Sequence, residues 1–391
     1  MAFEFHLPSL EEMRATSAGM EMLRMIDDDN FRSALIKGVP GSGKTTVAIQ
    51  RLVRLNAQQK KVHFVTYQNL LVLAIRNLVQ GLKVPDSRVT TLNMWYKQHT
   101  GSGYIPSTAS QINSCLDHTD LVNGGLDEIL IDEGQDLPIC VYEAVPHYAK
   151  RCFVGADKNQ QVHADGAGED QIAELLARNF PPYKLFPLGQ NFRNTYETYR
   201  FARQFIPPKN FVAWDENILG RLQNRRGPKP TVITYLDKRI RNEHFRTILE
   251  NAQGNVAILC PLGGYNDGIN ESVDQFHAFV TELKFQNGTD VKATRYRNGI
   301  DIPNNLERIV VTTFISAKGL EFDTVIIPRI NFKKMIPEEW YVACTRASRR
   351  LYIYRDLGTP QCDPIALLAT DTYDLIALGA VPKVKLDELP F

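Results

Sequence analysis

The eight residues GVPGSGKT at 38–45 restrict the fold of this chain more than any other stretch. They fit G-x-x-x-x-G-K-[ST], and they lie between a short apolar run, RSALIKG, and a helical stretch, TTVAIQRLVRL. Glycines in such a loop let successive backbone N–H groups close around phosphate oxygens at the positive end of a helix. Gly38, Gly41, Ser42, Gly43 and Thr46 are therefore expected to line a nucleotide site. Lys44 is expected to neutralise the terminal phosphates, and the Thr45 hydroxyl to ligand Mg²⁺. A strand that enters this loop and leaves as a helix belongs to a parallel α/β sheet.

The rest of the chain repeats that alternation. KVHFVTY, EILIDE and RCFVGAD read as further strands in the first half, with NLLVLAIRNLVQGL as an amphipathic helix. In the second half PTVITYL, NVAILCPL, VKATRY, RIVVTTF, TVIIPRI and RRLYIYR read as strands. NEHFRTILENAQ and SVDQFHAFVTELKFQ read as helices between them. A chain of 391 residues has room for two domains with their own cores. Paired prolines in NFPPYK (179–184) interrupt both helix and strand, so the expected division is 1–182 and 183–391, with 98–127 a short insert in the first domain.

Residues 129–138, ILIDEGQDLP, drive branched apolar residues straight into Asp132 and Glu133. Two adjacent carboxylates at the end of a buried strand are costly unless a cation relieves them. Alone, an Asp–Glu pair is more often a solvated turn. Downstream of a phosphate loop, the expectation is that Asp132 holds Mg²⁺, directly or through its waters, while Glu133 polarises the attacking water. Hydrolysis at such sites usually also needs arginine opposite the phosphates, worth about 10³–10⁵ in rate in a GTPase. Arg193 in LGQNFRNT and Arg346 in YVACTRAS are the candidates.

Net charge is only +1, which argues against coating a nucleic acid by bulk electrostatics and leaves room for a local basic groove. Arg221, Arg225, Arg226 and Lys229 form one basic run, either tracking phosphates or lying in a solvated loop. The six Cys have no metal-binding spacing and read as free thiols of a reducing cytoplasm. No apolar run is long enough for a membrane span, and the start has no apolar signal core, so a cytoplasmic location is expected.

In order along the chain, DEGQD (132–136), ADKNQ (156–160), QNFRNT (190–195), TTFISAKGLEFDTV (312–325) and YVACTRA (341–347) follow the phosphate loop. Together these segments resemble a superfamily 1 helicase of the UvrD/Rep type, over roughly residues 30–355. The resemblance implies two RecA-like domains with ATP and Mg²⁺ in the cleft between them. It implies that Gln160 senses the γ-phosphate, that Arg193 and Arg346 are fingers, and that Glu321 binds the nucleotide's sugar. VTYQN (65–69) and TTLNMW (90–95) occupy the places of nucleic-acid-contacting segments. Tyr67, Trp95 and Tyr96, with Asn69, are therefore candidate strand contacts, the aromatics weighed against ordinary core packing, and Lys318 is expected near the phosphates or the strand.

The chain departs from that family in four places. SLEEMRATSAG has no clear match to the upstream adenine-reading glutamine. His163 and Asp165 stand where an aromatic that stacks on a base is expected, with His163 read as structural. Ile315 replaces a histidine. The large inserted subdomains are absent, leaving a minimal form. The expected activity is an ATP-dependent helicase or translocase, stimulated by single-stranded DNA in preference to RNA and moving 3′ to 5′. The alternative is a nucleotide-driven switch subunit regulating a partner protein such as a nuclease, without processive unwinding. A non-enzymatic nucleic-acid-binding scaffold is the third reading.

Overall fold

A computed structural model describes residues 2–117, 119–121, 125–163, 165–207, 213–261, 273–285, 288–297, 302–330, 336–358 and 363–379. The first sheet has six parallel strands: β1 (Ser33–Gly38), β2 (Val62–Thr66), β3 (Val89–Thr91), β4 (Glu128–Ile131), β5 (Cys152–Ala156) and β6 (Tyr183–Leu188). Their order is β3-β2-β4-β5-β1-β6. The second has seven: β7 (Thr231–Tyr235), β8 (Val256–Cys260), β9 (Ala293–Arg295), β10 (Ile309–Thr313), β11 (Phe322–Ile327), β12 (Ala347–Asp356) and β13 (Asp374–Ala377). Their order is β13-β7-β12-β11-β8-β10-β9, again parallel throughout. These are the two parallel-sheet α/β domains expected from the sequence.

Continuous apolar runs explain the central strands. Every residue of β4, β5, β8 and β10 is buried, as a parallel sheet covered on both faces requires. The helix Lys44–Ala57 lays Val47, Ala48, Ile49, Leu52 and Leu55 into the core. The helix Ala109–Leu116, inside the short insert, packs Ile112 and Leu116 into the second core cluster of the first domain. Every strand and helix named above from the sequence is present. β3, β6 and β13 were not foreseen. The expected division at 182/183 falls one strand before the crossover, because β6 pairs with β1 over Ser33↔Tyr183 to Gly38↔Leu188.

One buried ion pair ties the first domain together. Arg51 Nε and Nη2 donate to the two carboxylate oxygens of Glu128 at 2.5 and 2.8 Å, and Arg51 Nη1 donates to the Ile26 and Asp28 carbonyls. The guanidinium lies over the Phe31 and Phe153 rings at 4.9 and 5.2 Å. Cys140, Cys152 and Cys344 are buried free thiols, and Cys362 lies outside the described residues. Among the described residues no helix is long and apolar enough to cross a membrane.

Candidate nucleotide site between the two sheets

The C-terminal ends of β1, β4 and β5 open toward one cleft, the usual place for a ligand in a parallel sheet. After β1 the phosphate loop turns through Gly41 (φ 73°) and enters its helix at Gly43 (φ 97°), conformations that side chains rarely adopt. A Cβ on Gly41 would also meet Arg193 Cβ at 2.5 Å, so the loop and the arginine segment approach as closely as glycine allows. Lys44 Nζ donates to the Gly38 and Val39 carbonyls at 2.6 and 3.2 Å, which holds the ammonium over the loop.

The carboxylates stand where β4 ends. Thr45 Oγ1 donates to Asp132 Oδ2 at 2.7 Å, while Asp132 Oδ1 is buried with no hydrogen-bond partner. Burial, then the neighbouring Glu133 charge, raise the Asp132 pKa above the usual carboxylate range. An orphaned buried acceptor beside a hydroxyl and a phosphate loop fits a divalent cation, so Thr45 and Asp132 are the residues that would hold Mg²⁺. Glu133 takes the left-handed backbone conformation (φ 53°), which a non-glycine residue adopts only when its surroundings impose it. Gln135 Nε2 then donates to its carboxylate at 2.8 Å. Burial opposes the charge on Glu133, but Lys318, Lys44 and Arg346 outweigh it and keep the carboxyl ionised well below its usual range.

From Glu133 a hydrogen-bonded chain crosses to the second domain. Gln135 accepts from the Asp157 N–H at 3.1 Å, and Asp157 accepts from Gln160 Nε2 at 2.7 Å. Gln160 Oε1 in turn accepts from Arg346 Nη2 at 2.6 Å. Arg346 is buried; desolvation, then the nearby Arg193 charge, push its guanidinium down to about 9, still cationic at neutral pH. Arg193 Nε donates to Glu321 at 3.0 Å. Lys318 completes the crossing, with Nζ 2.5 Å from Asp136 Oδ2, 2.6 Å from the Gln160 carbonyl and 3.5 Å from Glu133 Oε2.

Thus the loop residues from Gly41 to Thr46, Glu133, Gln160, Arg193, Glu321 and Arg346 line one pocket. Gly38, at the end of β1, lies just behind it and is fixed by Lys44. Several contributors were not picked out from the sequence. Asn191 Oδ1 accepts from the Arg193 and Asn194 N–H groups, and Asn194 Nδ2 donates to the Thr345 and Ala347 carbonyls. Those two side chains fix one arginine relative to the other, and both lie inside the quoted QNFRNT segment. The basic run also has a local task. Arg221 donates to the Gly189 carbonyl at 2.6 Å, Arg225 to the Arg193 carbonyl at 3.2 Å, and Arg226 pairs with Glu197 at 3.1 Å. Arg221, Arg225, Arg226 and Lys229 are all exposed, so the run is a solvated stretch whose arginines also brace the finger segment.

The candidate strand contacts separate into two groups. Tyr67 and Asn69 line a surface groove with Met94, Lys97, His163 and Tyr296, and Asn69 Nδ2 donates to Tyr296 Oη of the second domain at 2.8 Å. Trp95 does not belong there. It is 1% exposed, donates its indole N–H to His63 Nδ1 at 3.0 Å and packs on Tyr148, and Tyr96 is buried beside it. An aromatic periodicity along a helix cannot distinguish a groove-facing ring from a core ring. Lys318 is likewise no strand contact, because its ammonium is fully enclosed by first-domain acceptors.

No family model matches the chain. It is 25% identical over 243 residues to a probable DNA helicase of Mycoplasma pneumoniae, covering 58% of this chain and 42% of that protein. It is 25% identical over 209 residues to the DNA replication ATP-dependent helicase/nuclease DNA2 of Saccharomyces cerevisiae, covering 47% of this chain and 13% of that protein. The chain therefore spans less than half the length of either curated relative. An arterivirus nonstructural protein 10 (helicase) crystal structure is 14% identical with a TM-score of 0.43, covering 86% of this chain and 62% of that one. The class to which the curated relatives point is the nucleic-acid helicase, and the likeness is at the level of that class.

Proposed function

We propose that this chain is a superfamily 1 motor of the UvrD/Rep type that hydrolyses ATP in the cleft between its domains and moves 3′ to 5′ along single-stranded DNA. One observation carries this reading. The phosphate loop, Asp132 and Glu133 on one sheet face Arg346 and Lys318 from the other, joined through Gln160. Water attacks the γ-phosphorus with Glu133 accepting its proton. The bond to the β–γ bridging oxygen breaks, and ADP and phosphate leave. Lys44, Arg193 and Arg346 hold the negative charge that shifts during transfer. Thr45 and Asp132 would hold Mg²⁺, which would supply positive charge to the nucleotide's phosphates. In this reading the arginines and Lys318 leave the site when the cleft opens, so closure and hydrolysis are coupled. A strand lying across Asn69 and Tyr296 contacts both domains and would be drawn by their relative motion.

A second reading has its own support. The Tyr67 and His163 rings lie 4.5 Å apart, and Trp95 and Tyr96 are buried, which leaves little aromatic surface for bases. In that reading the chain is a nucleotide-driven switch acting on a partner such as a nuclease. Steady-state ATP hydrolysis with no polymer, single-stranded DNA, duplex DNA or single-stranded RNA, repeated with Lys44→Ala, decides between them. Stimulation by one single-stranded polymer, lost in the variant and weakened by salt, supports the motor. Lys44-dependent hydrolysis indifferent to every polymer supports the switch, and hydrolysis unchanged by Lys44→Ala refutes both.

A further inference from the structure

The pocket has one wall that neither phosphate chemistry nor the fingers use. Phe3, Glu4, Phe5 and His6 line it together with the phosphate loop. This segment is held by the second domain, although it begins the chain. The Phe3 N–H donates to the Leu306 carbonyl at 2.9 Å, and Ala2 forms an antiparallel bridge with Glu307. Asn255 clasps Glu4 from both sides, accepting from its N–H at 3.1 Å and donating Nδ2 to its carbonyl at 2.6 Å. The Phe3 ring packs edge-on against Phe322 at 5.5 Å. Two residues beyond His6 the chain is already tied to the first domain, where Gln50 Nε2 donates to the Pro8 carbonyl at 2.8 Å. Residues 5–7 therefore cross the mouth of the cleft.

We propose that this crossing segment binds the nucleoside end of the nucleotide, with Glu4 and His6 as its polar contacts. The inference rests on the nucleotide reading of the pocket. With the phosphates fixed at the glycine loop and Lys44, the sugar and base must extend toward walls not occupied by Glu133, Gln160 and the arginines. Phe3 and Phe5 are half-buried and offer apolar surface to a flat ring, while Glu4 and His6 are exposed and keep their polar atoms available. A carboxylate accepts from ribose hydroxyls or an exocyclic amine, and an imidazole can donate or accept. The segment thus takes the place of the adenine-reading glutamine that the sequence lacks. Because the second domain carries it, the nucleoside is enclosed by both domains together.

The test compares two probes by calorimetry: a non-hydrolysable ATP analogue, and inorganic tripolyphosphate, which has no nucleoside. In the full chain, Glu4→Ala combined with His6→Ala is expected to weaken the ATP analogue by about tenfold and to leave tripolyphosphate unchanged. Asn255→Ala, which releases the segment, is expected to do the same. The two exposed substitutions keep the test decisive if Asn255→Ala lowers stability. Equal binding of the ATP analogue by wild type and the double variant, or equal losses for both probes, overturns the inference. Lys44→Ala separates this from the wider reading, since it must weaken both probes. If it weakens neither, the pocket is not a nucleotide site.

Discussion

Lys318 Nζ, on the second domain, lies 2.5 Å from Asp136 Oδ2 on the first, with both side chains fully excluded from water. The pair joins residues 182 positions apart and places a cation 3.5 Å from the Glu133 carboxylate. The pair lies where the two domains meet, so opening the cleft would break it and return both charges to water. Removing one member of such a pair costs more than the pair's net worth, because the other charge is left uncompensated.

Lys318→Met is accordingly expected to lower the turnover of ATP by about a hundredfold, with the phosphate loop itself intact. Asp136→Asn should also lower it. The double variant should fall by less than the product of the two single effects. A double-mutant cycle on steady-state hydrolysis checks this, and fully multiplicative losses would show that the two residues act separately.

Arg346→Ala should reduce turnover by about 10³–10⁵-fold, the range for loss of a transition-state arginine. Arg346→Lys should rescue little of it. Arg346 donates to Gln160 Oε1 and to the Val342 and Leu320 carbonyls at once, a fork that a lysine cannot reproduce. Single-turnover hydrolysis under saturating nucleotide reads the chemical step directly, and wild-type rates in either variant would remove Arg346 from the site. Glu133→Gln should abolish turnover in the same assay.

The Arg51–Glu128 pair is buried in the first domain, and neither residue lines the pocket. Glu128→Ala leaves a buried guanidinium short of two hydrogen bonds and is expected to destabilise the first domain by about 3–5 kcal/mol. Urea denaturation monitored by circular dichroism gives the value. A loss below about 1 kcal/mol, the level of an exposed pair, would mean that the ion pair is hydrated in solution.

Tyr67 and Trp95 should behave oppositely toward single-stranded DNA. Tyr67, 38% exposed in the groove, should lose about 1–3 kcal/mol of binding as Tyr67→Ala if it stacks on a base. Trp95→Phe should leave the affinity unchanged and lower the melting temperature, since it deletes the indole hydrogen bond to His63. Fluorescence anisotropy with a labelled oligonucleotide distinguishes them, and a Trp95 effect on affinity without an effect on stability would reverse the assignment.

Legibility in the sequence followed local order. The phosphate loop, the Asp–Glu pair and the buried strands could be read because each depends on residues a few positions apart. β6 was hidden because it runs along a sheet edge with only Leu188 buried and carries Pro187, so its pattern does not alternate. β13 is four residues long and exposed along its whole length, so its Leu375 and Ile376 do not alternate with polar residues as a half-buried strand would. Within the site, the types of Gln160 and Arg346 could be named, but their contact spans 186 positions and depends on how two separate sheets meet. Lys318, expected near the phosphates or the strand, could not be placed more closely for the same reason. A lysine near a strand end is compatible with phosphate, polymer or carboxylate, and only the packing of the other domain decides among them.

The clasp between Glu4 and Asn255 also sets an order of assembly. These residues are separated by 251 positions, so during synthesis the first must wait for the second. At ribosomal rates that interval is on the order of tens of seconds. In that time β1 to β6 and the phosphate loop have emerged, yet Leu306 and Asn255, to which the opening residues attach, have not. A nascent first domain can therefore complete its sheet while one wall of its pocket is still untethered. The segment around Glu4 leaves the ribosome well before the partners that hold it.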